Sequence, residues 1–343
     1  MRLYIDKENI KSFLKLYKEN RANCYPCLKM IKKYFKIYFN ISRKDFYSDE
    51  VCKIFANYLT MGANGDINHS YLGDSGHKEI RRPINVVDFN NEVFGEDASS
   101  VYLLDDPNIE KLEDSGNFLV GKVGREMDVL SRLMIGEDEE MLYELKLSPI
   151  EDYFNNKLWS GLDKVPMPCS DIIIVDSFLL QNSKLYSNNI VSLLDKLTEE
   201  VRASKVNIVL FCLKDNNPQD PVYYNDVINL IKYEFSKVYV DASVSIVVLD
   251  KKDEFKNHDR KIFTNYLYYE SGPTLNFYDS NGVLTTYGDQ FTVNSLVYTK
   301  HYTIATKFLD RMQNLITSIK NRSKSGSIYN DGTPISSHYL TFS

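Results

Sequence analysis

The sequence predicts an α/β protein. Short apolar, β-branched runs alternate with stretches in which apolar residues recur every three or four positions. Apolar residues make up 43% and charged residues 26% of the 343-residue chain, a globular balance that supplies sizeable cores. At roughly 150 residues per domain, that length corresponds to about two domains.

The first sixty residues read as helices, with Ile10, Phe13, Leu14 and Tyr17 on one stripe and Leu28, Ile31, Phe35 and Tyr38 on another. Met61 to Arg82 is a Gly-, Asp- and Asn-rich loop carrying His69 and His77 beside Asp66 and Asp74. Its histidines and carboxylates match no helix or hairpin metal-ligand spacing, so a mobile or partner-ordered loop is the preferred reading over a metal site. Short β-like runs follow at Ile84–Phe89, Val101–Leu104 and Phe118–Val120, then helices at about Arg125–Met134 and Glu139–Leu147. Residues 1–150 are therefore expected to form a helical-start α/β or α+β domain. Pro166-Met167-Pro168 punctuates the chain and places a linker at 151–168.

Residues 169–322 are easier to parse. Strands at Asp171–Val175, Val206–Leu213 and Val244–Leu249 alternate with helices at Asn189–Ala203 and Tyr223–Phe235. That alternation implies a mainly parallel sheet flanked by helices, and ligands on such sheets gather beyond the carboxyl ends of the strands. Asp176, Asp215 and Asp250 all follow strands closely and are rim candidates, with turn formation as the competing role. Ile304, Phe308, Met312, Leu315, Ile316 and Ile319 form the stripe of a late amphipathic helix. Residues 323–343, rich in Ser, Gly, Asn and Thr, read as a flexible tail.

The net charge of −6 argues against a general nucleic-acid binder, but the charge is polarised. Residues 1–44 hold twelve Lys/Arg against three Asp/Glu, whereas residues 101–160 hold fourteen Asp/Glu against six Lys/Arg. Lys29, Lys32, Lys33 and Lys36 form a basic stripe that can track a phosphate backbone, with Tyr34 or Tyr38 available for stacking; a solvated lysine face is the alternative. Five cysteines without regular spacing suit a reducing, cytoplasmic setting rather than a disulfide framework. Cys24-x-x-Cys27 lacks the second pair of a zinc ribbon, so neither a metal nor another cofactor is expected. No leader opens the chain, and its most apolar run, Ile172–Leu180, is interrupted by Asp176 and too short to span a bilayer.

The most informative motif follows the third strand of the second half: Asn257-His258-Asp259-Arg260, with Asn265 five residues beyond Arg260 and Gly272 and Asn276 downstream. Its spacing resembles the phospholipase D superfamily, whose signature is His-x-Lys, four residues, then Asp. His258 falls at the histidine position, Arg260 at the lysine position and Asn265 at the aspartate position. Gly272 and Asn276 correspond to the later Gly and Asn. The sequence is most similar to the non-catalytic His-Asp-Arg branch, such as the domain that follows MIT domains, over about residues 168–300. The resemblance implies a mixed sheet flanked by helices.

In active members of that superfamily one histidine attacks a phosphodiester and a second protonates the leaving group. This chain holds one such motif, so catalysis requires a homodimer pairing two copies of His258, with Asn265 in the orienting position. Without turnover, His258, Arg260 and Asn276 serve as a phosphate-binding set, Arg260 supplying a permanent bidentate cation. In a third reading His258, Asp259 and Arg260 form a buried, salt-bridged corner. The favoured expectation is a non-catalytic nucleic-acid- or phosphate-binding assembly protein, with RNA, DNA, a protein partner or a second copy as partners and no membrane. The resemblance adds an accessory role in prokaryotic antiviral defence or mobile-element systems. The alternatives are a metal-independent homodimeric phosphodiesterase or nuclease and a protein-interaction scaffold.

Overall fold

The chain opens on a strand, β1 (Arg2–Ile5), which the helical pattern beginning at Ile10 masks in the sequence. The computed structural model describes residues 1–61, 68–93, 99–135, 144–147, 158–201, 205–215, 222–250, 260–272, 274–285, 291–332, 337 and 340. It is a mixed α/β protein of two units. One comprises Met1–Met134 with Val297–Thr299, the other Ile135–Leu296 with Lys300–Ser343. The division therefore falls at Met134, ahead of the expected linker at 151–168.

In the first unit, β1 leads into helices α1 (Lys7–Glu19) and α2 (Arg21–Tyr34), then strand β2 (Lys36–Ser42). Leu28, Ile31, Phe35 and Tyr38 fit helical spacing, but the helix stops at Tyr34. From Phe35 onward the aromatic and β-branched residues extend instead, Phe35 having φ −104° and ψ 142°. Helices α3 (Arg43–Ser48) and α4 (Glu50–Thr60) precede strand β3 (His69–Leu72), so part of the expected loop is a strand. The expected strand at Ile84–Phe89 is replaced by helix α5 (Val86–Val93) because the Asn85 side chain accepts from the Val87 and Asp88 amides. Strand β4 (Val101–Leu103), helix α6 (Ile109–Asp114), strand β5 (Leu119–Gly121) and helix α7 (Glu126–Ser131) complete the unit.

These five strands form one parallel sheet in the order β3-β2-β1-β4-β5. Strand order reverses about β1, which places a topological switch point between the carboxyl ends of β1 and β4. One face carries Tyr38, Tyr4 and Tyr102 as a continuous ring stack, with centroid spacings of 4.8 and 5.1 Å, packed with Phe89, Ile109, Leu112 and Phe118. Helix α1 docks on α7 through Glu126, which is fully buried and accepts from Asn9, Ser12 and the Gly124 amide; burial pushes its carboxyl above the usual range.

Asp49 caps α4 by accepting from the Val51 and Cys52 amides and lies 2.6 Å from Lys7 Nζ. The Lys7 ammonium beside it holds its carboxyl down to about 2. We expect Asp49→Ala to cost about 1 kcal/mol in chemical denaturation at neutral pH. Because the folded value lies below the unfolded one, the difference from wild type is full above about pH 4 and disappears as pH falls through about 2.

The second unit holds an eight-stranded sheet in the order β13-β9-β8-β7-β10-β11-β12-β6. Its strands are β6 (Glu144–Leu147), β7 (Asp171–Val175), β8 (Lys205–Leu213), β9 (Asp241–Leu249), β10 (Lys261–Phe263), β11 (Leu267–Ser271), β12 (Phe291–Ser295) and β13 (Gly326–Asn330). Strands β7, β8 and β9 are parallel, and every other pairing is antiparallel. The sheet is therefore mixed, with its parallel part confined to β7, β8 and β9 instead of the mainly parallel sheet that the alternation of strands and helices implies. Its antiparallel part draws on segments read otherwise: β6 replaces the end of a predicted helix, and β13 lies in the predicted tail, in register with Ser245–Leu249. Trp159, inside the predicted linker, is fully buried and stacks on Phe277 at 4.9 Å.

Helix α8 (Ser192–Leu197) is entered through a π-helical turn at Ser187–Val191, and helix α9 (Tyr224–Ser236) packs on β9 and β13. Helix α10 (Thr299–Lys320) buries Ala305, Phe308, Met312, Leu315, Ile316 and Ile319, while Ile304 of the predicted stripe is exposed. Among the described residues no helix is long and apolar enough to cross a membrane.

Candidate functional site

His258 and Asp259 lie outside the described residues. Arg260, immediately before β10, is described, and its guanidinium is committed to the protein. Nη1 donates to the Gly272 carbonyl, Nε lies 4.0 Å from Asp176 Oδ1, and the group sits 5.8 Å above the Phe178 ring. Asp176 follows β7 and is completely buried. Its Oδ2 accepts from Thr274 Oγ1 and the Leu275 amide, both at 2.6 Å, and its Oδ1 accepts from the Phe178 amide at 2.9 Å. Burial pushes the Asp176 carboxyl up, opposed by these hydrogen bonds and by Arg260.

Asn276 belongs to the same knot: its Nδ2 donates to the Phe178 carbonyl at 2.8 Å. Thr274, Leu275 and Asn276 wrap the end of β7. Arg260 and Asn276, assigned from the sequence to phosphate, thus hold three chain segments together. Asp215 and Asp250 follow β8 and β9 but do not enter the knot; the Asp215 amide donates to Tyr224 Oη at 3.2 Å.

Asn265 sits at the other end of β10, in the turn before β11. It is fully buried, and its Oδ1 accepts from the Ser170 and Asp171 amides at 2.8 and 3.1 Å while Nδ2 donates to Ser170 Oγ at 2.8 Å. Since β10 runs antiparallel to β7, Arg260 lies by the carboxyl end of β7 and Asn265 by its amino end. Asn265, given an orienting position by the resemblance, is thus used to hold the start of β7.

The predicted lysine stripe is split between two elements. Lys29, Lys32 and Lys33 are on α2, where Lys32 donates to the Met61 carbonyl, whereas Lys36 opens β2. Lys36 pairs in register with Arg2 on β1, and both cations lie over the Tyr38 ring, at 4.8 and 5.9 Å. Lys33 lies 5.0 Å from the Tyr34 ring centroid. Arg2 and Lys36 thus form a basic rim at the amino end of the first sheet, which Lys33 in the last turn of α2 and Lys29 one turn earlier precede in the chain; Arg2 is the member that the sequence pattern does not reveal.

The carboxyl end of that sheet carries a second polar cluster, absent from the sequence-based candidates. Asp6, directly after β1, accepts from Arg82 Nη2 at 3.0 and 2.8 Å, from Asn40 Nδ2 at 2.7 Å and from the Asp105 amide at 2.7 Å. Arg82 also donates to the Asp105 carbonyl at 3.2 Å and lies 3.6 Å from Asp106. The crevice above these groups measures about 230 Å³ and is edged by Asp6, Asn40, Glu79, Arg82 and Asp105. These hydrogen bonds use the full acceptor capacity of the Asp6 carboxylate, so with Arg82 in place it has no lone pair for a metal. Among the described residues no group of three or more His, Cys, Asp or Glu gathers as a metal site. The sequence signal for this end is a carboxylate immediately after a short apolar strand, at Asp6 and again at Asp105-Asp106, and it depends on reading Leu3-Tyr4-Ile5 as a strand.

No family model matches the chain, and no curated protein matches it.

Proposed function

We propose that this protein binds nucleic acid, or another phosphate-bearing partner, without cleaving it, and that the basic rim of the first sheet makes the contact. The observation that carries the reading is the register of Arg2 with Lys36 on adjacent parallel strands, flanked by Lys29 and Lys33. Neighbouring strands run about 4.8 Å apart, so the two backbones place these cationic side chains side by side, a spacing that suits one phosphate. Tyr34, half-buried beside Lys33, adds aromatic surface to those cations, a combination that single-stranded nucleic acid uses, whereas Tyr38 is buried in the core and does not. The commitment of Arg260 to Asp176 and of Asn265 to the start of β7 supports binding over turnover. An accessory role in prokaryotic defence or mobile-element systems, with a protein partner or a second copy, rests on the resemblance to the His-Asp-Arg branch alone.

The test is fluorescence anisotropy with single-stranded and duplex oligonucleotides across a salt series. Wild type is expected to bind with a negative slope of log K against log salt. Combining Lys29→Glu, Lys33→Glu and Lys36→Glu should flatten that slope by about 0.7 to 0.9 for each phosphate that is no longer neutralised. An unchanged slope would overturn the rim as the interface. Strand cleavage that survives chelator and disappears in His258→Asn would overturn the non-catalytic reading and establish the phosphodiesterase alternative.

A further inference from the structure

Residues 20–44 hold seven Lys or Arg and no Asp or Glu, so helix α2 carries cations with no carboxylate among them. Arg21, Tyr25, Lys29 and Lys33, four residues apart along α2, are all exposed, while Cys24, Cys27, Leu28, Met30 and Ile31 are buried. We propose that this outer face of α2 is a track for single-stranded nucleic acid, with one unpaired base stacked on Tyr25 and backbone phosphates on Arg21, Lys29 and Lys33. The proposal rests on the binding reading above and names its substrate class, an unpaired strand rather than a duplex.

Helical geometry makes one surface of the four positions. Residues four apart advance about 6 Å along a helix and only about 40° around it, so these side chains form a ridge about 18 Å long. Arg21, with its guanidinium 5.9 Å over the Tyr17 ring, starts the row, and Lys33 beside the Tyr34 ring ends it. The ridge leads into the basic rim, because Phe35 ends the helix and Lys36 opens β2 beside Arg2. Cations in a row without an interleaved carboxylate attract a polyanion. Lys32, which donates to the Met61 carbonyl, is already committed to the protein.

Tyr25 decides which polyanion. It is 51% exposed, and among the described residues its side chain makes no hydrogen bond, ion pair or ring contact; the same is true of Lys29 one turn on. Its ring therefore offers a π-face with a cation one turn to either side, Arg21 before it and Lys29 after it. A single strand presents an unstacked base and a phosphate together, and so uses the ring and the cations at once. Bases in a duplex are already paired and stacked, which leaves Tyr25 without a partner. The carboxylates of an acidic protein surface would use the cations and leave the ring idle.

Fluorescence anisotropy with labelled oligo(dT), oligo(U) and a hairpin duplex, with polyglutamate as competitor, tests the assignment on the intact protein. Wild type should bind the single strands at least about fivefold more tightly than the duplex at matched salt, the contribution of one stacked base. Tyr25→Ala should remove that preference, weakening single-strand binding about fivefold or more while duplex affinity and melting temperature hold, since alanine suits an exposed helix position. Tyr25→Phe keeps the ring and should stay within about twofold of wild type. Stacking releases no counterion, so Tyr25→Ala should leave the slope of log K against log salt unchanged, whereas Arg21→Gln with Lys29→Gln should flatten it by about 0.7 for each phosphate lost. Equal affinity for strand and duplex, or single-strand affinity unmoved by Tyr25→Ala, would overturn this assignment and leave the binding reading standing. Polyglutamate competing equally in wild type and Tyr25→Ala would overturn it in favour of an acidic protein. No binding of any oligonucleotide would overturn both.

Discussion

Replacing Asp176 by alanine is expected to cost about 3 to 5 kcal/mol of folding stability, the range for removing one partner of a buried ion pair. The carboxylate accepts from Thr274 Oγ1 and from the amides of Leu275 and Phe178, and it faces the Arg260 guanidinium. Alanine satisfies none of these groups and strips the Arg260 cation of its counter-charge, leaving the Gly272 carbonyl to accept from Nη1. Urea denaturation at neutral pH measures the loss.

Asp176→Asn should cost less, because it keeps an acceptor, and its pH dependence has a definite sign. The folded Asp176 carboxyl titrates above its unfolded value, so the folded state holds this proton more tightly. Its contribution to wild-type stability is present below the unfolded value and declines as pH rises through the folded one. The stability gap between wild type and Asp176→Asn should therefore move in favour of the variant as pH rises from the acid side. Arg260→Ala provides the functional half of the comparison. Loss of stability with nucleic-acid affinity intact fits the knot, whereas loss of affinity with stability intact would restore Arg260 as a phosphate clamp.

The second half was the more legible because its central strands are buried on both faces. Ile172-Ile173-Ile174-Val175 and Ile208-Val209-Leu210-Phe211 are continuous apolar runs, the pattern of a parallel sheet covered by helices. Strands β10, β11 and β12 lack that signal: Leu267-Tyr268-Tyr269-Glu270-Ser271 mixes aromatic and polar residues, and its antiparallel partners are recognisable only once the register is known. In the first half, Arg2–Ile5 is too short for a period to show before the helical pattern starts. Three- and four-residue spacing across Leu28–Tyr38 cannot separate a long helix from a helix followed by a strand, so the position of Lys36 on β2 is not legible in the sequence.

The candidate sites follow the same logic. Arg260 was identifiable from its local motif, but Asp176, which gives it a structural role, lies on another strand and becomes its neighbour only through the β7–β10 pairing. The crevice at Asp6 was hidden for a related reason. Asp6, Asn40, Arg82 and Asp105 are scattered in sequence and converge only because three parallel strands end together.

Asn265→Ala should approach the Asp176 effect, at about 3 to 5 kcal/mol, because it leaves the buried amides of Ser170 and Asp171 and the Ser170 hydroxyl without their partner, at about 1 to 3 kcal/mol for each group left unsatisfied. Its destabilisation should appear in thermal and urea unfolding with no change in nucleic-acid affinity per folded molecule. Asn265→Asp is the sharper variant, since it installs the residue that the phospholipase D signature has at this position. The carboxylate retains acceptors for both amides, and the Ser170 hydroxyl, which accepts from Asn265 Nδ2, can turn to donate to it, so folding should survive better than in the alanine variant. Phosphodiesterase activity should not emerge, because residue 265 stands at the amino end of β7 while Arg260 stands at its carboxyl end. Activity gained in Asn265→Asp would overturn the structural role of residue 265 and return it to the catalytic position that the signature implies.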